Sequence, residues 1–480
     1  MRLDEYCTFD AIDLAALVRK GEVTPRELCE RALEGVEKVN PRLNSVVETY
    51  PDVLERVDRE SPPAGPLCGV PFFLKDIGPM EKGRRYEMGS RLLEGYVAPF
   101  DTDLTLRFRA AGLLNLGRTP CPEMGYTITT ESLLYGTTHN PWNPEHVAGG
   151  SSSGAGASVA AGVVPISHAN DGGGSIRIPA SINGLVGLKT SRGRVPQGPL
   201  LNDISGFLFS DLVVSRSVRD TAAALDAVQG PGIGEAFEIA PPSEPYLEAI
   251  ARPPGALRIG FCAGAWGPVA PTPDVARGVE AVARTCESLG HRLTPVECPF
   301  DFEAFFESFL TIWYGGIPAD LDAMAHEVGR KIDSSTVEPI VLAAYERGHR
   351  ITAPQWMRAL GKVNELTRTF GALYQGCDLL LTPTLATPPP RLGRHHLHRT
   401  DVDPDAFFRE LFHIIPYTPI ANATGLPAIS LPLATSDDGL PVGIHFMAPF
   451  GREDRLLALA AALEEALPWR ERRPDIHVAA

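Results

Sequence analysis

No stretch of this 480-residue chain approaches the ~18 consecutive apolar residues of a membrane-crossing helix, so no helical membrane span is expected. Positive charge is also scarce. Lys and Arg number 44 against 59 Asp and Glu, a net charge of −15. Phosphate contacts need clustered Lys and Arg, so nucleic-acid binding is not expected, and the negative balance speaks mainly to solubility. There is no low-complexity linker, no charge block and no internal repeat. The least regular stretches, around 61–65, 241–245 and 388–400, are short enough to be loops. The eight cysteines are scattered without a C-x-x-C pair, which predicts reduced, mostly buried thiols in a cytoplasmic protein. Met1-Arg2-Leu3-Asp4-Glu5-Tyr6 has neither a basic region nor an apolar run, so no signal peptide is read there.

What the chain does have is material for a large core, with 44% hydrophobic residues. Thr24-Pro25-Arg26-Glu27 is a capping box with proline in the first helical position; it opens a helix striped by Leu28, Ala32 and Val36 that should end before Pro41. Residues 69–75 and 113–117 read as strands, with a helix over 103–112 between them. Later strands are predicted at 257–261, 379–381, 428–431 and 442–446, and helices at 275–289, 355–374 and 452–464. Strands alternating with helices predict an α/β layered fold around a buried, largely parallel sheet.

The most informative stretch is 145–181. Gly149-Gly150-Ser151-Ser152-Ser153-Gly154 and Gly172-Gly173-Gly174-Ser175 are two serine clusters wrapped in glycine. Between them lie a small-residue helix, 153–162, and an apolar strand, 163–168. Each glycine that interrupts regular structure costs about 0.5–1 kcal/mol, so such density implies a special backbone. Consecutive N–H groups aimed at one anion are one such shape, and a serine beside them is where a nucleophile would stand next to an oxyanion hole.

These two clusters resemble the core of the amidase signature family, which pairs GGSSGG with a downstream GGSIR. The supporting segments are Gly69-Val70-Pro71 with Lys75-Asp76, Pro122-Glu123-Met124-Gly125, Asn140-Pro141-Trp142-Asn143, Gly184 to Thr190, Leu426 to Pro432 and Gly439 to Gly443. Within the family the chain resembles the branch of 6-aminohexanoate-cyclic-dimer hydrolases, through Glu123-Met124-Gly125, Gly198-Pro199-Leu200 and the tail from Gly451 to Trp469. The resemblance implies one mixed twisted β-sheet covered on both faces by α-helices. It implies a single domain over 1–480, with the signature core at about 65–230 and the remainder completing the same sheet and helical layers. It implies that Ser175 is the acylated nucleophile, Ser151 the bridging serine after a cis peptide, and Lys75 the base. Gly172, Gly173 and Gly174, with the Ser175 amide, would form the oxyanion hole. Asp171, Arg177 and Ser152 would support the loop, and Met124 and Tyr126 would wall the acyl pocket. Trp313, in Ile312-Trp313-Tyr314, would add aromatic surface.

A free lysine titrates near 10.4, so its neutral form costs roughly 4.6 kcal/mol at pH 7. Burial lowers that cost, and Phe72, Phe73 and Leu74 supply apolar neighbours while strand alternation turns Asp76 away. Such chemistry needs no cofactor and no metal. His395-His396-x-His398 has no fourth ligand in view and reads as a surface loop.

The expected substrate is a medium-sized apolar amide, whether aliphatic, aryl or lactam, sooner than a charged one, with oligomeric state, including a homodimer, left open. Three alternatives stand beside this reading. One is the amidase subunit of a tRNA-dependent amidotransferase. Another is an α/β-hydrolase esterase using Ser152 in Gly150-x-Ser152-x-Gly154, although an elbow should follow a strand directly. A phosphate cradle is the third, but no G-x-x-x-x-G-K-[ST] is present. The chain departs from the family pattern at Ser153, where glycine is usual, and at Gly172, where a side chain is common.

Overall fold

The computed structural model describes residues 1–199, 208–235 and 237–480. Leu200 of the Gly198-Pro199-Leu200 segment lies outside them. Thirteen strands are described, in three sheets. The small ones comprise β1 (Glu48–Thr49), β2 (Pro71–Lys75) and β3 (Leu114–Thr119), and the hairpin β4 (Glu131–Ser132) with β5 (Gly136–Thr137). The large sheet holds β6 (Ile166–Asp171), β7 (Val186–Lys189), β8 (Ser210–Ser215), β9 (Arg258–Phe261), β10 (Arg292–Pro295), β11 (Leu379–Pro383), β12 (Ala428–Thr435) and β13 (Pro441–Met447). Their order is β10-β9-β11-β13-β12-β7-β8-β6.

The sheet is mixed, as the resemblance implied, and it is not largely parallel, as element alternation alone suggested. Only β10, β9 and β11 run parallel; every other neighbouring pair in it is antiparallel. Alternation misleads here because β8 enters antiparallel between β6 and β7, and β12 and β13 are antiparallel to their neighbours as well.

β2, the strand ending in Lys75, pairs in parallel with β3 and has no ladder to the large sheet. Side chains make that junction instead. Ser167 Oγ donates to the Phe73 carbonyl at 3.2 Å, and the Lys75 amide donates to His168 Nδ1 at 3.3 Å. The other nitrogen, Nε2, faces Asp211 Oδ1 at 3.1 Å, so His168 sits neutral with its proton on Nε2. Burial pushes its pKa down.

The Ser153–Ala160 helix is buried along its whole length. Its small residues allow this: a Cβ on Gly154 would come within 2.4 Å of Pro120, and one on Gly156 within 2.6 Å of Asn183. The helix opened by Thr24 begins with the expected capping box but runs Pro25–Leu43, through Pro41. Proline is tolerated there because only the last turn loses a hydrogen bond, and Asn44 closes it in the left-handed region at φ 48°. The 27-residue Phe302–Val328 helix escaped the sequence reading because Gly315, Gly316 and Pro318 interrupt its pattern. Among the described residues no helix is long and apolar enough to cross a membrane.

Candidate functional site

β2, β6 and the turn before the Ser153–Ala160 helix converge so that Lys75 and Ser151 meet. Lys75 Nζ lies 2.7 Å from Ser151 Oγ, and the Gly150–Ser151 peptide is cis. Lys75 is 1% exposed, and burial, the largest influence on it, lowers its pKa to about 8. Asp76 turns to the opposite side. There it takes hydrogen bonds from Arg118 at 2.6 Å, Tyr135 at 2.5 Å and the amides of Glu87 and Gly89 at 2.9 Å. With its charge engaged elsewhere, Asp76 does little to hold a proton on Lys75.

A residue the sequence reading missed completes the pair. Asn170 Oδ1 accepts from Lys75 Nζ at 2.5 Å. Asn170 lies on β6 just before Asp171, where a polar side chain gave no signal distinct from its neighbours.

Asp171 organises the loop that follows β6. Its carboxylate accepts from the amides of Gly174 at 2.7 Å and Ile176 at 3.2 Å, and from Arg177 Nε and Nη2 at 2.9 Å each. Asn422 Nδ2 adds bonds to its carboxylate at 2.8 Å and its carbonyl at 2.9 Å. Burial pushes the Asp171 pKa up, but the Arg177 charge and these hydrogen bonds outweigh it and hold the carboxyl well below its usual range. Arg177 also donates through Nη1 to His445 Nε2 at 3.1 Å. Burial and the guanidinium together keep that imidazole neutral.

Not every amide of the glycine run is free of a partner within the described residues. The Gly174 N–H is occupied by Asp171, whereas the amides of Gly172, Gly173 and Ser175 donate to no described residue. Ser175 is partly exposed, and its hydroxyl hydrogen-bonds to no described residue, Ser151 included. Ser152 is fully buried, and its hydroxyl donates to the Ser175 carbonyl at 2.6 Å, with the Asn170 carbonyl at 3.3 Å. Among the described residues no strand leads directly into it and no histidine hydrogen-bonds to it, so the elbow arrangement is not built there.

The two departures from the family pattern have local reasons. Ser153 Oγ donates to the Gly149 carbonyl and accepts from Thr130 Oγ1 at 2.8 Å. At Gly172 a Cβ would stand 2.7 Å from Phe209 and 3.3 Å from Trp313.

A cavity of about 470 Å³ adjoins this centre, and Asn170 is part of its wall. Met88, Met124, Tyr126 and Phe209 line it. Met88 and Met124 both sit at φ 53°, with the Met124 amide donating to the Met88 carbonyl at 2.8 Å. Long side chains rarely adopt that region, and such strain, of order 1–3 kcal/mol each, clusters at ligand sites. Trp313 lies behind the wall, edge-on to Tyr126 at 5.2 Å and stacked on Phe309 at 5.6 Å. The histidine loop is less superficial than expected: His395 is buried, and His396 stacks on His398 at 3.7 Å. Among the described residues no cluster of three His, Cys, Asp or Glu could hold a metal.

Known proteins resemble this chain in sequence and in fold. The family description "Amidase" matches residues 27–457. A 6-aminohexanoate-cyclic-dimer hydrolase from Paenarthrobacter ureafaciens is 38% identical, over 97% of this chain and 96% of its own. The solved structure of 6-aminohexanoate cyclic dimer hydrolase complexed with substrate superposes with a TM-score of 0.92 at 36% identity, covering 98% of this chain and 99% of that one. A bacterial aryl acylamidase of the amidase signature enzymes follows with a TM-score of 0.86 at 26% identity and 96% coverage of both chains. The chain belongs to the amidase family and is a hydrolase acting on carbon–nitrogen bonds.

Proposed function

We propose that the protein hydrolyses a small, largely apolar carboxamide through an acyl-enzyme on Ser175, with Ser151 as relay and Lys75 as base. Neutral Lys75 takes a proton from Ser151 Oγ as Ser151 takes one from Ser175 Oγ. The freed Ser175 oxygen attacks the amide carbon, and the carbonyl oxygen gains the charge. The amides of Gly172, Gly173 and Ser175 receive it. As the C–N bond breaks, the proton returns through Ser151 to the departing amine. Water, deprotonated along the same path, then releases the acid and restores Ser175. No electrons change hands, so the scheme calls for no redox cofactor.

The observation that carries this reading is the 2.7 Å contact between Ser151 Oγ and a fully buried lysine whose pKa is lowered to about 8. At that value roughly a tenth of the lysine is neutral at pH 7, about two orders of magnitude more than for a free side chain. Ser151 and Ser175 are not bonded in the unliganded chain. Catalytic hydrogen bonds commonly tighten only when substrate is present. Similarity to a cyclic-amide hydrolase over nearly the whole length of both chains supports hydrolysis over amidotransfer. The walls of the 470 Å³ cavity support an apolar substrate body.

The test is a fluorophosphonate label located by mass spectrometry, run beside amide hydrolysis. Ser175 should carry the label, and Ser175→Ala should lose both label and activity. A label on Ser152, or an active Ser175→Ala enzyme, would remove the acyl-enzyme from this site.

A further inference from the structure

The cavity beside Asn170 has an uneven charge. Its described lining includes three carboxylates, Asp211, Asp320 and Glu327, and no Lys, Arg or His. Asp211 is engaged by His168 and by Gln197 Nε2 at 3.4 Å. Asp320 is different. It makes no hydrogen bond or ion pair with any described residue, although it is a wall residue of a half-open, mostly apolar cavity. Asp320 itself is exposed. The protein packed around it pushes its carboxyl up, with no counter-charge beside it to offset this.

Other residues of the wall are suited to a cation. Tyr126 feels the Asp320 charge, and its hydroxyl, on the cavity wall, has no partner among the described residues. Tyr86, Tyr96, Phe100 and Phe209 add aromatic rings to the wall. Aromatic faces attract ammonium groups, more strongly where water is excluded. The Phe302–Val328 helix sets Asp320 and Glu327 seven residues apart, about 10 Å along its axis, with Leu321 and Met324 as apolar wall between them. The route back to the reaction centre is short: Tyr126 packs edge-on against Trp313, and Trp313 packs against Gly172.

We propose that this cavity selects amides whose apolar chain ends in an ammonium group, and that Asp320 is the residue that recognises the charge. This rests on the reading of Ser175 as the acylated residue. Apolar walls take the methylene chain, the aromatic rings and Asp320 take its cationic end, and the amide lies toward Asn170 and the serine loop.

The test uses three p-nitroanilides of equal chain length ending in –NH3+, –CH3 or –COO−. In the wild type, kcat/KM should be about tenfold or more higher for the ammonium chain than for the methyl chain, with the carboxylate chain poorest, as a charge-assisted contact implies. Asp320→Asn should erase that preference while leaving the methyl-chain rate within about twofold, which also reports that the variant is folded. A methyl chain that matches or beats the ammonium chain in the wild type would overturn the proposal. So would an Asp320→Asn enzyme that loses both substrates equally.

Calorimetric binding of hexylammonium against 1-hexanol separates this proposal from the catalytic one. Ammonium should bind better in the wild type and in Ser175→Ala, and lose its advantage in Asp320→Asn. Equal binding of the two probes in the wild type would refute the charge selection. An active Ser175→Ala enzyme that still prefers ammonium would refute the catalytic reading alone.

Discussion

Lys75 Nζ reaches two partners at once, Ser151 Oγ at 2.7 Å and Asn170 Oδ1 at 2.5 Å. The amide oxygen can only accept, so Asn170 fixes one N–H of the amine. In the neutral lysine that leaves the lone pair to point at the Ser151 hydroxyl.

The rate should therefore rise with pH through about 8, the value to which burial lowers Lys75. Deprotonation creates the active form, so the limb ascends. Lys75→Ala should abolish it and cost about three to four orders of magnitude in kcat/KM. Lys75→Arg should be nearly as damaging, because guanidinium stays protonated. A pH–rate profile for each variant decides the matter.

Lys75→Met should be inactive yet more stable. The folded pKa lies below the unfolded one, so folding favours proton loss; the stability penalty of burying this lysine is fully present below about 8 and fades as pH rises toward 10.5. An isosteric apolar residue escapes that penalty. Its melting temperature at pH 7 should exceed that of the wild type by a few degrees, and the gap should narrow at pH 10.

Asn170→Asp should move the ascending limb to higher pH, since a carboxylate beside Nζ favours the ammonium. Activity at pH 7 should fall by about tenfold or more and recover in part at alkaline pH. A purely structural role would lower the whole profile without moving it.

Gly125→Ala should lower kcat more than it changes KM. Gly125 sits at φ 74°, and an added Cβ would stand 3.1 Å from Ser151 Oγ. Both the backbone strain and the crowding fall on the relay serine, so a loss of about ten- to a hundredfold is expected by steady-state kinetics.

Arg177→Met should destabilise the fold by about 3–5 kcal/mol, because it strands the buried Asp171 carboxylate beside the nucleophile loop. Denaturant unfolding measures this. Asp171→Asn combined with Arg177→Met should recover part of the stability but not the labelling rate of Ser175, since Asp171 also holds the amides of Gly174 and Ile176.

The sequence by itself determined the family, the mixed α/β class and the two serine–glycine clusters. Glycine where a Cβ cannot fit, and serine at a fixed spacing, leave a local trace that composition cannot imitate. It also named Lys75 and turned Asp76 aside through strand alternation. Tertiary structure decided the rest. Asn170 meets Lys75 only because β6 lies against β2, and the Gly174 amide is engaged only because Asp171 folds back on it. The antiparallel return of β6, β7 and β8 depends on pairing partners, which a single strand's pattern does not encode. Asp320 belongs to a helix whose periodicity is broken by Gly315, Gly316 and Pro318, and it lies about 145 residues beyond Ser175. Contacts across such distances are set by packing, so no local pattern announces them.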